Sequence, residues 1–108
     1  MKTILLAALL FTSTLAFAET TAPFKISTIA VHQPGNLPFR VYGMPNIPSC
    51  PGGNFAYVDE NDTTANAKIS TLLTAFSAGK SIYLEVLPVT HPANGNTYCQ
   101  IRVVFLPQ

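Results

Sequence analysis

The chain has 108 residues, a formal net charge of +1 at pH 7, two cysteines and no tryptophan. That length suits one small domain. The near-balance of acids and bases lacks the basic surplus that phosphate binding uses, so nucleic acid is not an expected partner. It also removes strong attraction to an anionic membrane surface.

Met1 and Lys2 place a positive charge before an apolar run, Ile4 to Phe11, continued by Leu15-Ala16-Phe17-Ala18. This is the three-part pattern of a secretory signal peptide over residues 1–18, with cleavage expected after Ala18. The run is too short to act as an anchor, since a spanning helix needs about 20 apolar residues. No later segment is long and apolar enough for a membrane span. Residues 19–108 are then expected to form a single domain, secreted or periplasmic, in which Lys25, Arg40, Lys68, Lys80 and Arg102 balance Glu19, Asp59, Glu60, Asp62 and Glu85.

Glu19 to Pro23 is polar and without pattern. Phe24 to Gln33 reads as a first strand whose alternation slips near Ser27-Thr28, a bulge signal. Pro34-Gly35-Asn36 is a turn. Pro38 to Met44 reads as a second strand, with Phe39, Val41 and Gly43 on one face and Arg40, Tyr42 and Met44 on the other. Pro45 to Asn54, rich in proline and glycine and holding Cys50, is a loop. Phe55 to Val58 is a short third strand.

Asp59 to Thr64 supplies helix-start residues, with Asp62 or Thr63 as N-cap. Ala65, Ile69, Leu72, Leu73 and Phe76 then recur at helical spacing, and Gly79 stands where a left-handed C′ residue belongs. Ser81 to Leu87 alternates, with Ile82, Leu84 and Val86 facing inward. Pro88 to Thr97 reads as a long hairpin loop. Tyr98 to Leu106 is the last strand, with Cys99, Ile101, Val103 and Phe105 inward. Three strands, one helix and two strands make a mostly β fold with one helix, in the order of an OB-fold-like five-stranded barrel (β-β-β-α-β-β). The expected core is Ile26, Val41, Ile69, Leu72, Phe76, Ile82, Leu84, Val86, Ile101, Val103 and Phe105.

In an oxidising compartment Cys50 and Cys99 most simply form one disulfide. A metal fragment or redox pair is the alternative, but neither cysteine lies in a C-x-x-C and no third joins them. The bridge would close a loop of about 50 residues, worth roughly 4 kcal/mol in the chain-entropy treatment.

The residues that remain suggest binding more than catalysis. There is no G-x-S-x-G, no H-E-x-x-H and no phosphate-cradling glycine loop. His32 and His91 could pair with Asp59 or Glu60 in a metal or acid-base site, or be ordinary loop histidines. Asp59, Glu60 and Asp62 could supply two carboxylates across a glycosidase cleft, or serve the helix start. Tyr42, Tyr83 and Tyr98 fall on outward faces by alternation. There they could stack on a sugar, cover the barrel or line a subunit contact. Met44, Val104 and Leu106 also read as outward, and apolar surface of that extent suggests a homo-oligomer.

From Ile69 the sequence runs Ile-Ser-Thr-Leu-Leu-Thr-Ala-Phe-Ser-Ala-Gly-Lys-Ser-Ile-Tyr-Leu to Leu84. This helix, its Ala-Gly-Lys end and the strand after it resemble the B subunit of subtilase cytotoxin and similar small secreted proteins. Phe24 to Gly35 can be laid on that family without a gap. The resemblance implies an OB-fold, a ring of five, host glycans as ligands and a catalytic A-type subunit as partner. It also differs from the family in two respects. Lys25 stands where the toxin subunit has a sialic acid-contacting serine, leaving Ser27 and Thr28 as the nearby hydroxyls, and the family's extra cysteine pair is missing.

The expected function is therefore a secreted, non-enzymatic binding module with no cofactor. Its candidate glycan contacts are Lys25, Ser27, Thr28, Arg40 and Tyr42. The alternative is a periplasmic structural, accessory or inhibitor protein of the same fold with no glycan ligand.

Overall fold

The computed structural model describes residues 17–108. Nearly all of the expected signal peptide lies outside the described residues. The strands are β1 (Glu19–Thr20), β2 (Phe24–Lys25), β3 (Thr28–Val31), β4 (Phe39–Tyr42) and β5 (Phe55–Val58), followed after helix α1 (Ala65–Ala78) by β6 (Ser81–Thr90) and β7 (Thr97–Phe105). They form a mixed sheet in the order β1-β6-β7-β5-β4-β3, with β2 also on β6. Among the described residues only β5 and β7 pair in parallel. The two ends of this path, β1 and β3, do not pair with each other, so the sheet is mostly β with one helix but is not a closed barrel.

The first strand is where the expected barrel is interrupted. Phe24 and Lys25 pair with Ile82 and Ser81 of β6, whereas Thr28 to Val31 pair with β4. The chain turns between them at Ile26-Ser27, close to the slip in its alternation. Gly43 permits this crossing. Its φ is +111°, and a Cβ there would lie 2.7 Å from the Lys25 carbonyl oxygen and 2.9 Å from the Ser27 nitrogen. The same backbone twist ends the alternation of β4, so Met44, expected outside, is buried.

The segment Glu19 to Pro23, read from the sequence as patternless, is an edge instead. Glu19 and Thr20 pair with Val86 and Glu85, and buried Thr21 exchanges bonds with Leu84. The Thr21 amide donates to the Leu84 carbonyl at 2.8 Å, and the Leu84 amide donates to the Thr21 hydroxyl at 3.1 Å. A threonine can mend a ladder in this way through its side chain, which hydrophobic periodicity does not reveal.

Strand β6 continues to Thr90, so the hairpin loop is shorter than expected. Pro88 is accommodated because β1 reaches β6 only at Glu85 and Val86, leaving Pro88 on an uncovered stretch of edge. In β7 the expected alternation holds for Cys99 and Ile101 and then reverses. Val86 pairs with Ile101 and Glu85 with Val103, which leaves Arg102 as the extra residue of a bulge. Val104 and Leu106 consequently pack on the core, while Val103 and Phe105 leave the inner set. Phe105 stacks on Tyr83 across the outer face, with centroids 4.6 Å apart, and Arg102 pairs with Glu85 at 3.4 Å.

The core gathers Val41, Ala56, Val58, Ile82, Leu84, Val86 and Ile101 from the strands and Leu72 and Ala75 from the helix. The helix sits rotated from its expected stripe. Ile69 packs against the core, but Leu73 and Phe76 are each 43% exposed. Small Ala75 allows close approach to the sheet, and Lys68 turns with it toward Asp62 and the Ile101 carbonyl. Gly79 has φ +65° and ends the helix as expected, with the Lys80 amide bonding to the Ala75 carbonyl.

At the other end the cap position is Thr64, and its side chain makes no cap bond. Asp62 organises the turn before it, accepting the Thr64 amide and hydroxyl, each at 2.8 Å, and pairing with Lys68. The Lys68 ammonium first, then the Thr64 amide and hydroxyl, lower the Asp62 carboxyl from 3.8 to about 2. A depressed folded-state value means that this stabilisation is complete above the ordinary value and is lost as pH falls toward about 2. Asp62→Asn is expected to flatten stability against pH in that acid range and leave its shape unchanged near neutrality. Urea melts between pH 2 and 7 check this, and a variant with the wild-type acid slope contradicts it.

Candidate functional site

Strand β5 is buried along its whole length, but by two different environments. Ala56 and Val58 join the core, whereas Phe55 and Tyr57 belong to the opposite face. The register sets Tyr42 opposite Phe55, Arg40 opposite Tyr57, and Tyr57 beside Gln100. Alternation therefore brings Arg40, Tyr42, Phe55, Tyr57, Tyr98 and Gln100 onto one outer surface.

Its centre is an aromatic strip. The Phe55 ring lies 5.4 Å from Tyr42 and 5.3 Å from Tyr98, stacked on the latter at 26°. The Arg40 guanidinium lies 4.7 Å from the Phe55 centroid. His91 meets Tyr98 edge-on at 6.3 Å. Tyr42 and Tyr98 are half-buried because they cover Phe55 as well as facing outward. The Tyr98 hydroxyl receives the Asn96 and Asn94 side-chain amides, which lower its pKa by favouring the anion.

Beside the strip is a cleft of about 330 Å³ between three connections: the 33–38 turn, residues 59–61 and the start of the β6–β7 loop. Its walls are held from outside. The Glu60 carboxylate accepts the Gly35 amide at 2.9 and 3.2 Å. Arg40 donates to the Leu37 carbonyl at 2.9 Å and to the Asn36 carbonyl at 2.8 Å. Leu37 has φ +49°, a conformation uncommon outside glycine, and these bonds flank it. Tyr57 lines the cleft, and its pKa is pushed up to about 12 by burial first and then by the Asp59 charge.

Of the expected contacts, Arg40 and Tyr42 lie on the strip, and Thr28 pairs with Tyr42 at its edge. Lys25 and Ser27 are exposed on the neighbouring crossing. The Ser27 amide donates to the Tyr42 carbonyl at 2.9 Å. Cys50 and Cys99 form the disulfide, with their Cα atoms 5.3 Å apart. His91, Asp59 and Glu60 meet at the cleft, and His32 is not among its lining residues. Among the described residues no group of three histidines, cysteines or acids could hold a metal. Asp59 accepts the Asn61 amide at 3.1 Å, so both adjacent acids serve turn geometry.

Sequence reasoning passed over Tyr57 and Gln100. Tyr57 sits in an unbroken apolar run, which hides its hydroxyl. Gln100 offered the better signal, an uncharged polar residue between Cys99 and Ile101 on an outward position. Among the described residues no helix is long and apolar enough to cross a membrane. No family model matches this chain, and no curated protein or solved structure matches it.

Proposed function

We propose that the chain is an exported, non-enzymatic binding module of OB type that holds a glycan on the outer face of β4, β5 and β7. The observation that carries this reading is the strip of Tyr42, Phe55 and Tyr98 under Arg40, adjoining the pre-shaped cleft. Aromatic faces stack on the apolar faces of sugar rings while neighbouring polar groups bind their hydroxyls. OB barrels present this same surface, the second and third strands with the flanking loops, to oligosaccharides. Three features support the OB reading. Phe24 to Val31, taken as one interrupted strand, reaches both β6 and β4; β5 and β7 are parallel; and the helix connects β5 to β6. The disulfide suits the secreted or periplasmic location.

The ring of five and the A-type subunit rest on the resemblance to the subtilase cytotoxin B subunit. The apolar residues first expected to drive assembly are largely used within the chain, since Met44 is buried and Val104 and Leu106 pack on the core. Leu73 and Phe76 on the helix are what a ring would have to cover. A glycan array and light scattering on the exported chain test the proposal together. Glycan binding that Tyr98→Ala abolishes is the expected result. No binding to any glycan removes the reading and leaves the accessory or inhibitor alternative, and a monomer at micromolar concentration removes the toxin-like ring.

A further inference from the structure

We infer that the cleft beside the strip is a subsite for one neutral pyranose ring, chosen over an acidic sugar. The inference rests on the glycan-binding reading and names the sugar class and the residues that select it.

The cleft volume, about 330 Å³, falls at the small end of the roughly 300–1,000 Å³ of ligand pockets, which suits one ring more than a chain. Part of its polar lining keeps bonding capacity. Tyr57 is 5% exposed, and no hydrogen bond from its hydroxyl is found among the described residues. Among the described residues no fully buried side-chain oxygen or nitrogen is left unsatisfied, so that hydroxyl keeps some contact with open space. Tyr57 and Asp59 both line the cleft, and a tyrosine hydroxyl, protonated at neutral pH, can donate there.

Asp59 uses Oδ1 for the Asn61 amide, which leaves Oδ2 to accept from sugar hydroxyls. The His91 Nδ1 accepts the Ala93 amide at 3.2 Å, which leaves Nε2 as the imidazole's other polar atom. Leu37, Val89 and Pro92 supply apolar wall for the ring's C–H face.

Charge decides between sugar classes. Asp59 and Glu60 line the cleft and no lysine or arginine does. A sialic acid carboxylate would enter beside two like charges with no lysine or arginine in the lining, the nearby Arg40 being engaged by the Leu37 and Asn36 carbonyls, whereas a neutral sugar's hydroxyls can donate to Asp59. The walls are also set before the ligand arrives, through Glu60 on Gly35 and Arg40 on Leu37 and Asn36, which limits the ordering cost on binding.

The experiment is an amide chemical-shift titration of the exported chain with methyl glycosides of galactose, mannose, glucose and N-acetylglucosamine, and with the methyl glycoside of sialic acid. The expected result is saturable binding of at least one neutral glycoside, with shifts at Gly35, Asn61 and His91 and none of comparable size from the sialic acid glycoside. Tyr57→Phe and Asp59→Asn, which keep side-chain shape, should each weaken binding about tenfold or more. Preference for the sialic acid glycoside overturns the inference. So does wild-type affinity in both variants with loss in Tyr98→Ala, which would put the sugar on the strip and leave the binding-module reading standing. No binding by any glycoside there and on the array removes both.

Discussion

Reduction of the Cys50–Cys99 bridge is expected to lower the melting temperature by about 8–40 °C. Loss of a native disulfide from a small exported domain costs about 2–5 kcal/mol, and each kcal/mol shifts the midpoint by about 4–8 °C at this size. The position of the bridge explains why the effect should be large. Cys99 is fully buried in β7, and Cys50 is 2% exposed in the middle of the proline-rich loop. That loop has no strand of its own. It is held by the disulfide, by buried Ile47 and by the Gly52 amide on the Thr97 carbonyl at 2.7 Å. Without the bridge, the two anchor points are tied only through chain 49 positions long, and the unfolded state regains that freedom. Thermal melts with and without reductant measure the shift, and free-thiol titration of the unfolded, unreduced chain should find none. A melting temperature that reductant leaves unchanged would contradict the argument.

Leu72→Ala is expected to cost about 2–5 kcal/mol, the range for a large-to-small change in a packed core. Leu72 is fully buried and is the main helix side chain in the core, so little nearby can collapse into the space. Phe76→Ala, one turn further along, should change stability by less than about 0.5 kcal/mol, as for surface substitutions. The helical spacing alone places both residues on one stripe and would predict similar losses. Urea melts of the two variants separate the cases, and equal losses would mean that the helix docks as the sequence suggested. Lys68→Ala, innocuous by its place off the stripe, should now cost more than Phe76→Ala. It removes the partner of Asp62 and a donor to the Ile101 carbonyl at 3.3 Å.

Much of the fold was legible because its signals are local. The period-two run Ile82, Leu84, Val86 specified a half-buried strand, and all three are fully buried. Gly79 stopped the helix for a reason internal to the backbone, its left-handed φ. Two cysteines with no competing thiol left one simple pairing, and it is the one formed. Outward alternation also put Arg40 and Tyr42 on the surface that carries the aromatic strip.

The rest depended on contacts between segments distant in sequence. Periodicity assumes an uninterrupted ladder, and a one-residue bulge at Arg102 reverses every side chain after it. This is why Val103 and Phe105 exchange places with Val104 and Leu106. Gly43 does the same for Met44, because the chain crossing at Lys25 to Ser27 demands a close approach that only a residue without Cβ allows. The helix rotation follows from which side chain is small enough to meet the sheet, a property of the pair of surfaces.

The cleft is the clearest case. Tyr57, Asp59, His91 and Gln100 come from β5, its following turn, the β6–β7 loop and β7. The helix, most of the longer strands, the bridge and an outward aromatic face were readable from the chain alone, since each is decided within a few residues or by elimination; the β1 edge and the break between β2 and β3 were not. Only the tertiary structure decided the site, because parallel pairing of β5 with β7 and the bond from Glu60 to Gly35 bring its walls together across the chain.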